Sequence, residues 1–430
     1  MTAHDAPAPG LSRQQCKTLA LASLGGALEF YDFVVFVFFA GTMGTLFFPA
    51  DMPGWMRLVQ TFGIFAAGYL ARPLGGIVMA HFGDVTGRKR MFMLSILLMA
   101  VPTLLMGLLP THAQIGVAAP LLLLLLRILQ GAAIGGEAPG AWVFVSEHVA
   151  PGHRNLACGA LSLGLLAGIL LGSLVALAIN TRLDEAHLLA WGWRIPFLLG
   201  GVFGLLALHL RRQLHETPVF AELQAQRRLA TELPLKAVLC EHAGAVVLGM
   251  LLTWLLTAAV VVTILMMPTF LQGMGVARSD ALAGNALAVL AAMASNLIAG
   301  ALADRFGAGR VLSLWSLLLG AAFWGFFHAA QAGAYSHALY ALAGSAVGLT
   351  AMVPAIALSG FPAQVRFSGL SFAYNVAYAI AGGLTPVLLS LAMKNNPAAP
   401  LHYMLAMAAL GVALGLVVQW RQRAAGPLTA

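Results

Sequence analysis

Apolar runs of about 20 residues, separated by short loops, recur along the whole sequence and restrict the fold more than any other feature. A helix rising 1.5 Å per residue crosses a ~30 Å hydrocarbon core at that length. Inside lipid every backbone amide needs an internal partner, so only helices and closed barrels can span the bilayer. A barrel requires alternating strands of about ten residues, and none are visible. Sixty per cent of the 430 residues are hydrophobic and 9% are charged, with a mean hydropathy of +0.88, more than an ordinary soluble core can hide. The chain reads as an all-α membrane protein.

Twelve runs are expected, at approximately 18–47, 58–82, 91–109, 115–145, 156–179 and 193–210, then 243–271, 281–303, 311–330, 338–358, 367–393 and 401–420. This divides the chain into a tail (1–17), a first six-helix unit (18–210), a linker (211–242), a second unit (243–420) and a closing tail (421–430). The linker carries Pro218 and Pro234 and is too short for an enzymatic domain. No G-x-x-x-x-G-K-[ST] phosphate loop occurs, so coupling to ATP hydrolysis on this chain is not expected. Cys16, Cys158 and Cys240 have no metal-ligand spacing. No catalytic constellation, metal or cofactor is expected.

A short basic turn, Gly83-Asp84-Val85-Thr86-Gly87-Arg88-Lys89-Arg90, returns half a chain later around Asp304, Arg305, Gly307 and Arg310. A turn between two membrane helices that recurs in this way implies two related halves. Of the 23 Lys and Arg, sixteen fall on the side that holds both termini, and five (Arg57, Arg182, Arg194, Arg278, Lys394) on the other. The positive-inside rule then places both termini in the cytoplasm, and it accounts for the net charge of +8 without a nucleic-acid partner.

Glycines recur at spacing four, as in Gly164, Gly168 and Gly172 and in Gly131 and Gly135. Such spacing lets helix backbones approach closely.

Ionisable groups deep in an apolar helix mark function until a partner explains them. Five stand out: Glu29 and Asp32 in the first run, Arg72 in the second, and Arg127 and Glu137 in the fourth. Glu29 and Asp32 share a helix face and repel one another, as a proton-coupling site requires. The alternative is a permanent structural network in which Arg72 or Arg127 neutralises them. Arg127, facing a cavity, would suit bidentate capture of an anionic solute. The second half has only neutral interior polar groups, among them Asn285, Asn296 and Asn375; Tyr374 and Tyr378 share a face at spacing four.

These residues resemble the major facilitator superfamily, and within it the metabolite:proton symporters for citrate and other carboxylates, shikimate, and proline or betaine. The resemblance rests on Gly26-Ala27-Leu28-Glu29-Phe30-Tyr31-Asp32-Phe33, Leu70-Ala71-Arg72-Pro73-Leu74-Gly75-Gly76, the basic turn, and Arg127-Ile128-Leu129-Gln130-Gly131 with Gly135-Gly136-Glu137. It extends through Trp191-Gly192-Trp193-Arg194-Ile195-Pro196-Phe197, Glu216-Thr217-Pro218-Val219-Phe220 and Gly382-Gly383-Leu384-Thr385-Pro386. It implies a twelve-helix fold of two pseudo-symmetric six-helix bundles, a central cavity and alternating access driven by protons. It assigns gating to Gly83, Asp84, Gly87, Arg88, Lys89, Glu137, Glu147, Arg154, Asp304 and Arg305. Two positions depart from the motif: Ala80 replaces a glycine, and Val85 stands where a cation is usual. The chain ends soon after Arg423 without the coiled-coil tail of osmosensing members, so an osmosensor is not expected.

The expected function is a proton-coupled symporter importing a small organic acid such as a di- or tricarboxylate, with a zwitterion such as betaine or proline as the alternative. A non-transporting sensor is the rival class. Glu29 and Asp32 would carry the proton, Arg127 and Arg72 would attract carboxylate, and Tyr31, Tyr374, Asn375 and Tyr378 would shape the cavity. The expected partners are the solute, protons and the lipid bilayer, the working unit a single chain, and the location the inner membrane.

Overall fold

The computed structural model describes residues 13–86, 88–135, 137–147, 149–212, 235–362 and 365–424. Among them every regular element is helical. The first half comprises α1 (Arg13–Phe38), α2 (Ala40–Phe47), α3 (Gly54–Thr86), α4 (Arg88–Leu108), α5 (Ala118–Ile134), α6 (Glu137–Glu147), α7 (Arg154–Arg182) and α8 (Ile195–Arg212). The second comprises α9 (Ala243–Gly273), α10 (Arg278–Phe306), α11 (Ala308–Gln331), α12 (His337–Ser359), α13 (Arg366–Ala392) and α14 (Ala399–Ala424).

Among the described residues eight helices are long and apolar enough to cross a membrane, or nine if α1 and α2 form one bent span. The α5 and α6 segments lie in one such run, Ala118–Val143. With α3, α4 and α8 the twelve expected crossings are present. The protein is a multi-pass integral membrane protein of two six-helix bundles.

Three features depart from the simple reading. The helix α1 begins at Arg13, earlier than expected, because Gln14, Gln15 and Lys17 are good helix formers. The first crossing is broken, with α1 and α2 meeting at 61° across Phe39. Widened π turns interrupt α9 at Val261–Met266 and α13 at Tyr378–Gly382, a device frequent at functional positions. The tail and linker segments themselves consist largely of residues 1–12, 213–234 and 425–430, outside the described residues.

The patterned glycines allow the close helix crossings expected of them. A Cβ on Gly131 of α5 would lie 1.7 Å from the Gly68 carbonyl of α3, and one on Gly168 of α7 would lie 2.0 Å from the Ala27 carbonyl of α1. Any side chain there would force the helices apart. Gly307, in the second copy of the duplicated turn, adopts φ 94°, a region only glycine enters freely, and so lets α10 reverse into α11. The two halves pack along α7 against α10 and along α3 against α13.

Candidate functional site

Arg72 lies on α3 with 1% of its surface exposed, at the seam between the halves. Its guanidinium is surrounded by three tyrosine rings, at 5.4 Å from Tyr69, 5.5 Å from Tyr374 and 4.5 Å from Tyr378. Tyr69 belongs to α3 and stacks on Tyr378 of α13 at 5.1 Å, while Trp142 of α6 meets Tyr374 edge-on at 5.1 Å. An aromatic box is thus assembled from three helices of both halves. Such faces attract a desolvated cation by ~2 kcal/mol or more. Among the described residues Arg72 Nε and Nη2 have no hydrogen-bond partner, so two donors remain in the same box for a carboxylate. Asn375, next to Tyr374 and one turn before Tyr378, donates from Nδ2 to the Gly135 carbonyl across the seam.

Arg127 of α5 is fully buried, but within the first half. Its Nη1 donates to the Phe33 carbonyl at 3.1 Å and to Gln130 Oε1 at 2.7 Å, and its guanidinium lies 4.3 Å from the Phe33 ring and 4.8 Å from that of Phe36. Gln130 Nε2 in turn donates to Thr103 Oγ1. Arg127 thus holds its place in the first bundle through one nitrogen, while among the described residues its Nε and Nη2, like those of Arg72, have no hydrogen-bond partner.

Asp32 is 2% exposed, and among the described residues it pairs with neither arginine. Its carboxylate occupies a niche left by two glycines of α8: a Cβ on Gly200 would lie 2.5 Å from Oδ1, and one on Gly204 3.4 Å from Oδ2. Oδ1 has no hydrogen-bond partner. The permanent Arg–Asp network is thus absent at Asp32. Tyr31, one residue away, donates its hydroxyl to the Pro196 carbonyl at 2.9 Å and packs edge-on against Phe203. It braces α1 against α8.

The halves touch at both ends. At the end holding the duplicated turns, Asp304 Oδ1 accepts from Asn155 N and Nδ2 at 3.0 and 2.9 Å, and Oδ2 accepts from Leu156 N at 2.9 Å. Arg154 opens the same helix α7, and Arg305 lies exposed beside Phe306. At the other end Arg278 Nη2 donates to Thr42 Oγ1 at 3.1 Å, and Asn285 Nδ2 donates to Ser173 Oγ at 3.1 Å.

Gly87 and the side chains of Glu29, Asp84, Arg88, Lys89, Glu137 and Glu147 lie outside the described residues; Gly83 lies on α3. Tyr69, Trp142, Thr42, Ser173 and Arg278 are site or seam residues that sequence reasoning did not select. Tyr69 had a usable signal, since it precedes Arg72 by three residues on the same helix face.

The family model of the Major Facilitator Superfamily matches residues 22–386. The chain is 32% identical over 429 residues to the glycine betaine/proline/ectoine/pipecolic acid transporter OusA of Dickeya dadantii, covering 94% of this chain and 83% of that one. It is 32% identical over 422 residues to the proline/betaine transporter of Escherichia coli K12, with the same coverage of 94% and 83%. Among solved structures, the proton:xylose symporter XylE bound to 6-bromo-6-deoxy-D-glucose superposes with a TM-score of 0.74 at 18% identity, covering 95% of each chain.

Proposed function

We propose that this chain, which belongs to the Major Facilitator Superfamily, imports a small zwitterionic solute such as betaine or proline together with protons. The observation that carries the reading is the seam box, in which Arg72 is enclosed by Tyr69, Tyr374 and Tyr378. A betaine-like solute needs one guanidinium for its carboxylate and aromatic faces for its ammonium, and the box supplies both when Arg72 turns from the rings it now occupies toward the carboxylate. A di- or tricarboxylate calls for several cations around it, whereas among the described residues the tyrosine box encloses one, Arg72. The names of the proline/betaine relatives favour the zwitterion in the same way.

Asp32 carries the coupled proton in this reading, as a membrane-embedded acid without an ion-pair partner among the described residues. Glu29 is its proposed companion. The contacts of Asp304 and of Arg278 close opposite ends of the seam and open in turn, and Asp84 is assigned the same gating role in the first copy of the turn. By the distribution of Lys and Arg, the Asp304 end faces the cytoplasm.

Purified protein in liposomes with an imposed inward proton gradient tests the reading, with labelled glycine betaine, proline and citrate as substrates. Accumulation of betaine or proline above equilibrium is expected, and none of citrate. Accumulation of citrate alone, or of no solute, overturns it.

A further inference from the structure

A second feature of the seam lies at the end opposite Asp304. The Lys394 ammonium, just beyond α13, sits 4.1 Å from the centroid of the Trp55 ring at the start of α3. Trp55 belongs to the first half and Lys394 to the second, so the contact joins the halves directly. Beside it opens a cavity of 590 Å³, lined by Trp55 and Leu58 from the first half and by residues including Phe270, Gln331 and Ser390 from the second. Among the described residues no acidic side chain lines this cavity, and the buried Ser390 hydroxyl has no hydrogen-bond partner. Trp55 and Arg72 lie on the same helix about 25 Å apart at 1.5 Å per residue, so the cavity is separate from the tyrosine box.

Without a carboxylate in its lining, the cavity has only aromatic faces and polar neutral groups to hold a cation. That favours a quaternary or alkylated nitrogen over a metal ion or a strongly hydrated primary amine. Lys394 is itself an exposed, strongly hydrated primary ammonium, so a less hydrated alkylated nitrogen competes with it for the indole. A zwitterion is complementary to both of its partners at once.

We propose that this cavity is an outer capture site for zwitterionic solutes. The solute exchanges the Lys394–Trp55 contact for two of its own, with its alkylated nitrogen on the Trp55 ring and its carboxylate on the Lys394 ammonium. The inference rests on the zwitterion reading above and extends it. Because the exchanged contact joins the two halves, occupying the site removes one of the bonds that hold this end closed and leaves the Arg278–Thr42 hydrogen bond to be broken next. Arrival of the solute is thereby linked to opening of the path to Arg72.

The test is protection of a thiol in the full-length protein. With Cys16, Cys158 and Cys240 replaced by serine, Gly273→Cys, at an exposed position of the cavity lining, is reacted with a small membrane-impermeant thiol reagent in liposomes, and glycine betaine uptake is measured in the same preparation. Saturating glycine betaine is expected to slow the reaction about fivefold, while tetramethylammonium or acetate alone slows it less than about twofold. Trp55→Leu and Lys394→Gln should each abolish the protection, Trp55→Phe should keep it, and Arg72→Lys should leave it unchanged. An unprotected thiol, full protection in Trp55→Leu, or protection lost in Arg72→Lys overturns the capture site. Uptake by the same liposomes separates the two readings: if betaine still accumulates, only the capture site falls, and if it does not, the transport reading falls with it.

Discussion

Asp304 Oδ1 lies 3.0 Å from the amide nitrogen of Asn155, so a carboxylate at the end of α10 in the second half caps the first turn of α7 in the first. A second amide, Leu156 N, reaches Oδ2 at 2.9 Å. An anion at a helix amino terminus gains from the free N–H groups and the helix dipole, and charged hydrogen bonds of this kind contribute ~1.5–3 kcal/mol each. Asp304→Asn keeps the shape and loses the charge. It should lower the maximal uptake rate about tenfold and leave solute KM within about twofold, since the residue acts on closure and not on the box. Unchanged maximal rates in a titration of uptake against solute would remove Asp304 from gating.

Asp32 separates coupling from binding. Asp32→Asn should abolish accumulation driven by a proton gradient and preserve solute exchange down its own gradient, measured as counterflow in liposomes. If the variant still concentrates solute against a gradient, another group carries the proton.

The tyrosine box has its own signature. Tyr378→Leu removes the ring closest to Arg72, and Arg72→Lys replaces the planar donor with a point charge. Each should raise KM for glycine betaine by about tenfold, the change expected for one desolvated cation–aromatic contact or one lost bidentate pair. Tyr31→Phe breaks only the bond to Pro196 and should leave KM unchanged. A KM effect at Tyr31 equal to that at Tyr378 would mean the site has been placed wrongly.

Packing of the first bundle depends on the glycine crossings. Gly131→Ala puts a methyl group against the Gly68 carbonyl and should cost about 1–3 kcal/mol, seen as a lower melting temperature in detergent. Gly41→Ala meets no atom within 4 Å and serves as the control.

The crossings were legible because bilayer thickness sets the length of each apolar run. The break at Phe39 was not, because neither proline nor a glycine pair marks it. Arg72, Tyr374 and Tyr378 were each visible as unusual interior residues, but their meeting depends on α3 packing against α13, some 300 residues along the chain, and no local pattern encodes that. The Arg127–Gln130 pair, three residues apart on one helix, was within reach of the sequence, whereas the Tyr31–Pro196 bond joins residues 165 positions apart and was not. Lys394 and Arg278 were legible only as cations on the side away from both termini; their contacts with Trp55 and Thr42 required the folded seam.

Joint movement of a zwitterion and a proton is read by recording internal pH in liposomes as glycine betaine is added outside, without a pre-set pH gradient. Internal acidification that follows betaine or proline, is absent with citrate and is lost in Asp32→Asn is the predicted result. Betaine uptake with no acidification, or acidification driven by citrate instead, would contradict it.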